Sequence, residues 1–99
     1  MDVYVIWEFR FPAEAAQEGL GVAEAIWRDM LGFAGYVDHQ LVQDLDDPGH
    51  LIVVSRWTSR QRADAVRTEY AGHPNAQRAD QLVSEARRRY VGEAIPLSA

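Results

Sequence analysis

The chain contains neither cysteine nor lysine in 99 residues. Without cysteine there can be no disulfide, no thiolate nucleophile and no Cys-ligated zinc or iron–sulfur site. Without lysine, Schiff-base chemistry and a phosphate-loop lysine are excluded, and all ten basic residues are arginine. Positive charge is scarce: ten basic against fifteen acidic residues give a formal charge of −5. Such a surface repels phosphate backbones, so nucleic acid is not an expected partner. No apolar run approaches the length of a membrane span, and Met1-Asp2-Val3 opens an acidic segment rather than a signal peptide, so a cytoplasmic protein is expected. The three histidines stand 11 and 23 residues apart, without an HxH or HxxxH pair, and no metal site is expected. Asp44, Asp46, Asp47 and Gly49 resemble a calcium loop, but Pro48 replaces one ligand and Ser55 stands where the bidentate Glu belongs, which leaves a turn.

What remains is ordinary globular composition, 47% hydrophobic and 25% charged, expected to form a single domain over 1–99. A chain this short buries only about 65% of its unfolded surface, so the core is small. Val3 to Phe11 is rich in β-branched and aromatic residues and is stopped by Pro12, which predicts a strand. Its odd positions are all large and apolar; its even positions begin with Tyr4 and Ile6 and end with Glu8 and Arg10. From Ala13 to about Leu31 the stripe Leu20, Ala23, Ile26, Trp27, Met30 predicts a helix that Gly32 ends, with Gly19 and Gly21 weakening its first half. Tyr36 to Asp44 and His50 to Trp57 read as strands joined by a hairpin turn rich in Asp, Pro and Gly. Ser59 caps a helix from about Arg60 to Tyr70, and Gly72-His73-Pro74 breaks the chain. A further helix is expected from an Asn75 cap to about Arg89, then a last strand from Tyr90 to Leu97 with Pro96 at a sheet edge.

The order β-α-β-β-α-β, with its second helical region split, is that of an α+β ferredoxin-like plait: a four-stranded antiparallel sheet with helices on one face. One helical layer cannot account for apolar residues of both parities in the first and third strands. A second copy facing the open side and closing a dimeric α+β barrel would, so a homodimer is expected.

The stretch from Gly32-Phe33, through His39 and the Asp47-Pro48 turn, to Val54-Ser55-Arg56-Trp57-Thr58-Ser59 resembles the antibiotic biosynthesis monooxygenase family. The Trp57-Thr58-Ser59 junction of strand and helix is its most specific part, and the resemblance covers most of residues 3–90. It implies a dimeric barrel and an enzyme: a cofactor-independent monooxygenase that uses molecular oxygen to turn an aromatic, polyketide-like phenol or anthrone into a quinone, without metal or flavin. That chemistry needs an electron-rich phenolate or enolate, a base, donors for the anion and a dry aromatic cavity. On this reading His39 is base or anion stabiliser, Trp57 shares the catalytic site, and Trp7, Phe9, Val53, Ser55, Tyr70 and Arg78 bind substrate. Quinone-forming relatives often carry Asn where Val53 stands and Tyr where Ala63 stands, and Arg78 lies near their later arginine. Haem-degrading relatives have Asn near Trp7 and Trp near Val66, which disfavours haem degradation. The same barrel also hosts cyclases and isomerases, and a ligand-binding dimer without activity is the non-enzymatic alternative.

The other polar residues have plainer readings. His50, beside the turn, is expected in solvent, and His73 in a loop is expected to be structural. Arg56 points away from Trp57, towards solvent or an interface. Arg87-Arg88-Arg89 is expected at a helix end, where its charge meets the dipole. Tyr36, Tyr70 and Tyr90 are hydroxyl donors with structural roles expected for each.

Overall fold

The computed structural model describes residues 1–97. Strand β1 (Val3–Arg10) leads through a 3-10 turn (Ala13–Ala15) into α1 (Ala16–Asp29), and a second 3-10 turn (Met30–Gly32) leads to β2 (Tyr36–Gln43). Then follow β3 (His50–Trp57), α2 (Arg60–Tyr70), α3 (Pro74–Leu82) and β4 (Arg88–Gly92). The strands form one antiparallel sheet in the order β2-β3-β1-β4. This is the ferredoxin-like plait that the element order implies.

Strand alternation sorts the two faces of the sheet. Val3, Val5 and Phe9 of β1 and Leu51, Val53, Ser55 and Trp57 of β3 are buried under the helices. There they meet Ala23, Ile26 and Trp27 of α1, Ala63 and Val66 of α2, and Ala76 and Ala79 of α3. Ser55 is the polar member of this core, and its hydroxyl is used twice. It donates to the Val5 carbonyl at 2.8 Å and accepts from Trp57 Nε1 at 3.0 Å. The opposite face carries Tyr4, Ile6, Ile52 and Val54, half-buried, with Val42 and Tyr90 exposed. The chain is 19 Å across its thinnest axis, the depth of one sheet and one helical layer, so no layer among the described residues covers that face.

Several local expectations change. The helix expected to reach Arg89 stops at Leu82, because Val83 turns to an extended backbone. Ser84 donates to the Arg10 carbonyl through both its amide (2.8 Å) and its hydroxyl (3.1 Å), which draws the chain across to the end of β1. The ladder to β1 then starts at Arg88, opposite Glu8, and ends at Gly92, opposite Tyr4. Arg87, Arg88 and Arg89 are therefore at the entry to a strand, not at a helix end, and Pro96 lies beyond the sheet. Ser59 caps α2 as expected, accepting from the Arg62 amide. The cap of α3 is His73 rather than Asn75: its Nδ1 accepts from the Asn75 amide at 3.0 Å. Pro74, with no amide hydrogen to satisfy, takes the first helical position.

His50 departs most from its reading. It is buried, with Nε2 at 2.8 Å from Glu8 Oε2 and Nδ1 at 2.9 Å from Asp44 Oδ2. Both ring nitrogens thus donate to carboxylates, which is the imidazolium form. The bonds to Asp44 and Glu8 raise the proton affinity of His50, and the bond from His50 holds both carboxyls below their usual range.

Two glycines of α1 differ in their surroundings. A Cβ on Gly19 would stand 2.6 Å from the Phe11 ring, whereas one on Gly21 would meet nothing within 4 Å. Gly35 has φ +92°, a left-handed conformation that suits glycine, and its carbonyl accepts from the Thr58 amide at 2.8 Å.

Two predictions follow from these contacts. Gly21→Ala should stabilise by up to about 1 kcal/mol through helix propensity, while Gly19→Ala should destabilise by about 1–3 kcal/mol through overpacking. Thermal melts of the two variants check the opposite signs. For His50, the raised native proton affinity means that its stabilisation is full below the ordinary histidine value of 6.5 and is lost as pH rises through the raised value. The carboxylate contribution is full above the ordinary Glu value of 4.5 and is lost as pH falls through the lowered one. The melting gap between the parent and His50→Gln should be widest between those values and close at alkaline pH; a gap independent of pH would contradict the clamp.

Candidate active site

A cavity of about 570 Å³ opens between the sheet and the helices, within the size range of small-molecule sites. Trp7 of β1 forms its floor, where the helical layer leaves the indole half-buried. Ile26 and Met30 enter from the end of α1, Val66 and Tyr70 from α2, and Ala76 from α3. The irregular segment 83–87 closes one side. Four charged side chains reach the lining: Arg67, Asp80, Glu85 and Arg87.

Arg87 dominates the polar geometry. Its guanidinium lies over the Trp7 ring at 4.8 Å and over Phe9 at 5.6 Å. Its Nε and Nη2 also donate to the two carboxylate oxygens of Asp80, at 2.8 and 3.3 Å. Arg89, opposite Trp7 in the β1–β4 ladder, stands 5.9 Å from the same indole and pairs with Asp64 at 2.9 Å. Such stacking on an indole face and a planar fork on a carboxylate are available together only to arginine.

Tyr70 supplies a wall rather than a free hydroxyl. Its OH donates to Asp29 Oδ2 at 2.7 Å, and its ring stacks on His73 at 4.5 Å and meets Phe33 edge-on. Burial, with the bond to Asp29, pushes its pKa up to about 12, so the phenol stays protonated.

A second cluster lies towards β2. Tyr36 OH is 2.6 Å from His39 Nδ1, His39 packs on Trp27 at 5.4 Å, and Tyr36 meets Trp57 edge-on at 5.7 Å. Burial lowers the proton affinity of His39, outweighing the attraction of Asp38. Burial, then Asp38, raises that of Tyr36. The phenol keeps its proton and the ring is neutral, and the 2.6 Å contact runs from the phenol to Nδ1 or from Nδ1–H to the phenol oxygen according to the tautomer. Trp57 has its N–H committed to Ser55, while buried Trp27 Nε1 has no partner among the described residues.

Of the residues singled out in the sequence, Trp7 and Tyr70 meet in the cavity. Phe9, Val53 and Ser55 are buried in the core, His39 and Trp57 belong to the second cluster, and Arg78 on α3 is paired with Glu18 of α1 at 2.7 Å. Sequence reasoning missed Arg67, Asp80 and Arg87. Reading Arg87 to Val91 with a two-residue period, as a strand, would have put Arg87 and Arg89 on the Trp7 side. Among the described residues, no group of three or more His, Asp or Glu could hold a metal ion, and no helix is long and apolar enough to cross a membrane.

None of the curated proteins compared with the chain matches it. Among solved structures, SnoaB from Streptomyces nogalater, described as a cofactor-independent oxygenase, is 17% identical with a TM-score of 0.85, covering 97% of this chain and 95% of that one. Rv0793 from Mycobacterium tuberculosis is 19% identical with a TM-score of 0.77, and both chains are covered completely. At these identities the likeness shows the fold. Residues 2–86 match the family described as antibiotic biosynthesis monooxygenase. The chain belongs to the antibiotic biosynthesis monooxygenase family.

Proposed function

We propose that the protein is a cofactor-independent monooxygenase that oxidises an aromatic, polyketide-like phenol or anthrone to a quinone in the cavity above Trp7. The observation that carries this reading is the cavity itself: about 570 Å³ floored by an indole, walled by apolar side chains and edged by two arginines and two carboxylates. The family and the SnoaB-like fold support it. In such a reaction an anthrone methylene loses two hydrogens and gains one oxygen atom as a carbonyl. The other oxygen atom of O2 leaves as water with those hydrogens. The substrate supplies all four electrons, so no external reductant is needed.

The task of the protein is to favour the electron-rich anion and exclude water. Trp7 and Tyr70 hold the planar rings, and Arg67 at the rim stabilises negative charge. His39 enters this scheme as base or anion stabiliser, for a substrate that extends towards β2. Trp57 and Ser55 fix the strand under it. The protein works in the cytoplasm as a homodimer, in which a second copy covers Tyr4, Ile6, Ile52 and Val54 on the open sheet face.

Metal-free protein should consume oxygen with an anthrone or naphthol and release one quinone per O2. Trp7→Ala should lower kcat/KM by about tenfold or more, the loss of one aromatic stacking contact. Product formed without oxygen uptake would favour a cyclase or isomerase, and no turnover across the panel would remove the oxygenase reading. Unchanged rates in His39→Ala would remove only the role of His39. In sedimentation the parent should have twice the chain mass, and Val54→Glu should shift it towards the monomer.

A further inference from the structure

We infer that the cavity takes an aromatic acid, whose carboxylate is held at the rim by Arg67. The inference rests on the reading of this cavity as the substrate site and narrows the substrate class.

It starts from the balance of charge around the lining. Three of the four charged side chains are already neutralised within the protein. Arg87 is joined to Asp80 through two hydrogen bonds, and Glu85 is paired with Arg10 at 3.3 Å. Arg67 forms no ion pair or side-chain hydrogen bond among the described residues, although carboxylates are the commoner charged group in this chain. The lining therefore carries one uncompensated positive charge, and it stands on α2 one turn from the Tyr70 wall.

The rest of the lining sets the shape of the ligand. Trp7, Ile26, Met30 and Val66 offer surface to a flat apolar body and few hydrogen bonds to it. The Tyr70 hydroxyl is committed to Asp29, so it does not compete for a ligand anion. The Arg87 ion pair cancels the repulsion that Asp80 would otherwise exert on an incoming carboxylate. A ring system seated over Trp7 with an acidic group directed outwards matches this arrangement. A neutral polycycle would leave the Arg67 charge unused, and a dianion would bring one negative charge more than the lining compensates. The Arg67 guanidinium remains exposed, so capturing a carboxylate there costs little desolvation, and its forked N–H groups suit a bidentate contact.

The experiment is calorimetric titration, at neutral pH and low salt, of the parent protein with 3-hydroxy-2-naphthoate and with 2-naphthol, which share a ring system and differ in the carboxylate. The acid should bind about tenfold more tightly or better. Arg67→Gln should bring the ratio of the two affinities close to one, and Arg67→Lys should keep most of it. A role of Arg67 in folding alone would weaken both ligands together and leave the ratio unchanged. Equal binding of the two ligands, a preference that survives in Arg67→Gln, or no binding of either would overturn the inference. An Arg67-dependent preference in a protein that consumes no oxygen would support it and defeat the oxygenase reading alone.

Discussion

The antiparallel pairing of β1 with β3, unbroken from Val3 opposite Trp57 to Arg10 opposite His50, is the constraint from which the rest of the structure follows. Side chains alternate along a strand, so this register decides which residues the helices cover. A slip by one residue would turn one strand of the pair over, bringing Tyr4 and Ile6 under the helices in place of Val5 and Phe9, or Arg56 in place of Trp57. The Ser55 hydroxyl guards against that slip. It is fully buried and bonded at once to the Val5 carbonyl and to Trp57 Nε1, and another register would strand buried polar atoms without partners. The same register sets Trp7 beneath the gap between the helices, so the cavity floor is a product of the central pair.

The first three strands, α1 and the Ser59 cap were legible because each rests on a short-range signal: a two-residue or three-to-four-residue apolar period, or one side chain beside the helix start. The end of α3 was not. Residues 83–87 have no strong local preference, and their path is fixed by Ser84 bonding to the carbonyl of Arg10, far away in sequence. His50 was misplaced for the same reason, since one of its two carboxylates is 42 residues distant. Of the candidate site, Trp7 and Tyr70 were accessible as aromatic residues with buried faces. The charged members were not, because Arg67, Asp80 and Arg87 come from three separate segments and converge only when the helices pack on the sheet. Arg87 was hidden further by a wrong helical period, which assigned it to a helix dipole.

The lack of lysine acquires a physical sense at this point. Arg87 holds its guanidinium over Trp7 and at the same time presents two N–H bonds to Asp80. An ammonium group is a point charge on a flexible stem and could satisfy one of these demands at a time. The planar guanidinium joins floor and rim, and it offsets a carboxylate charge at the cavity lining. Tyr70 shows the same economy of free polar groups, with its hydroxyl turned to Asp29 and its ring left for packing.

One wall of the cavity, residues 83–87, belongs to no helix or strand, and it is fastened to the sheet mainly by Ser84 on Arg10. Irregular segments accept insertions and substitutions that a strand or helix would not. Cavity volume and charge can therefore drift through this short stretch while the β1–β3 pair and its register stay intact. The architecture thus divides the cavity between a floor fixed by strand register and a side wall held by a few long-range contacts.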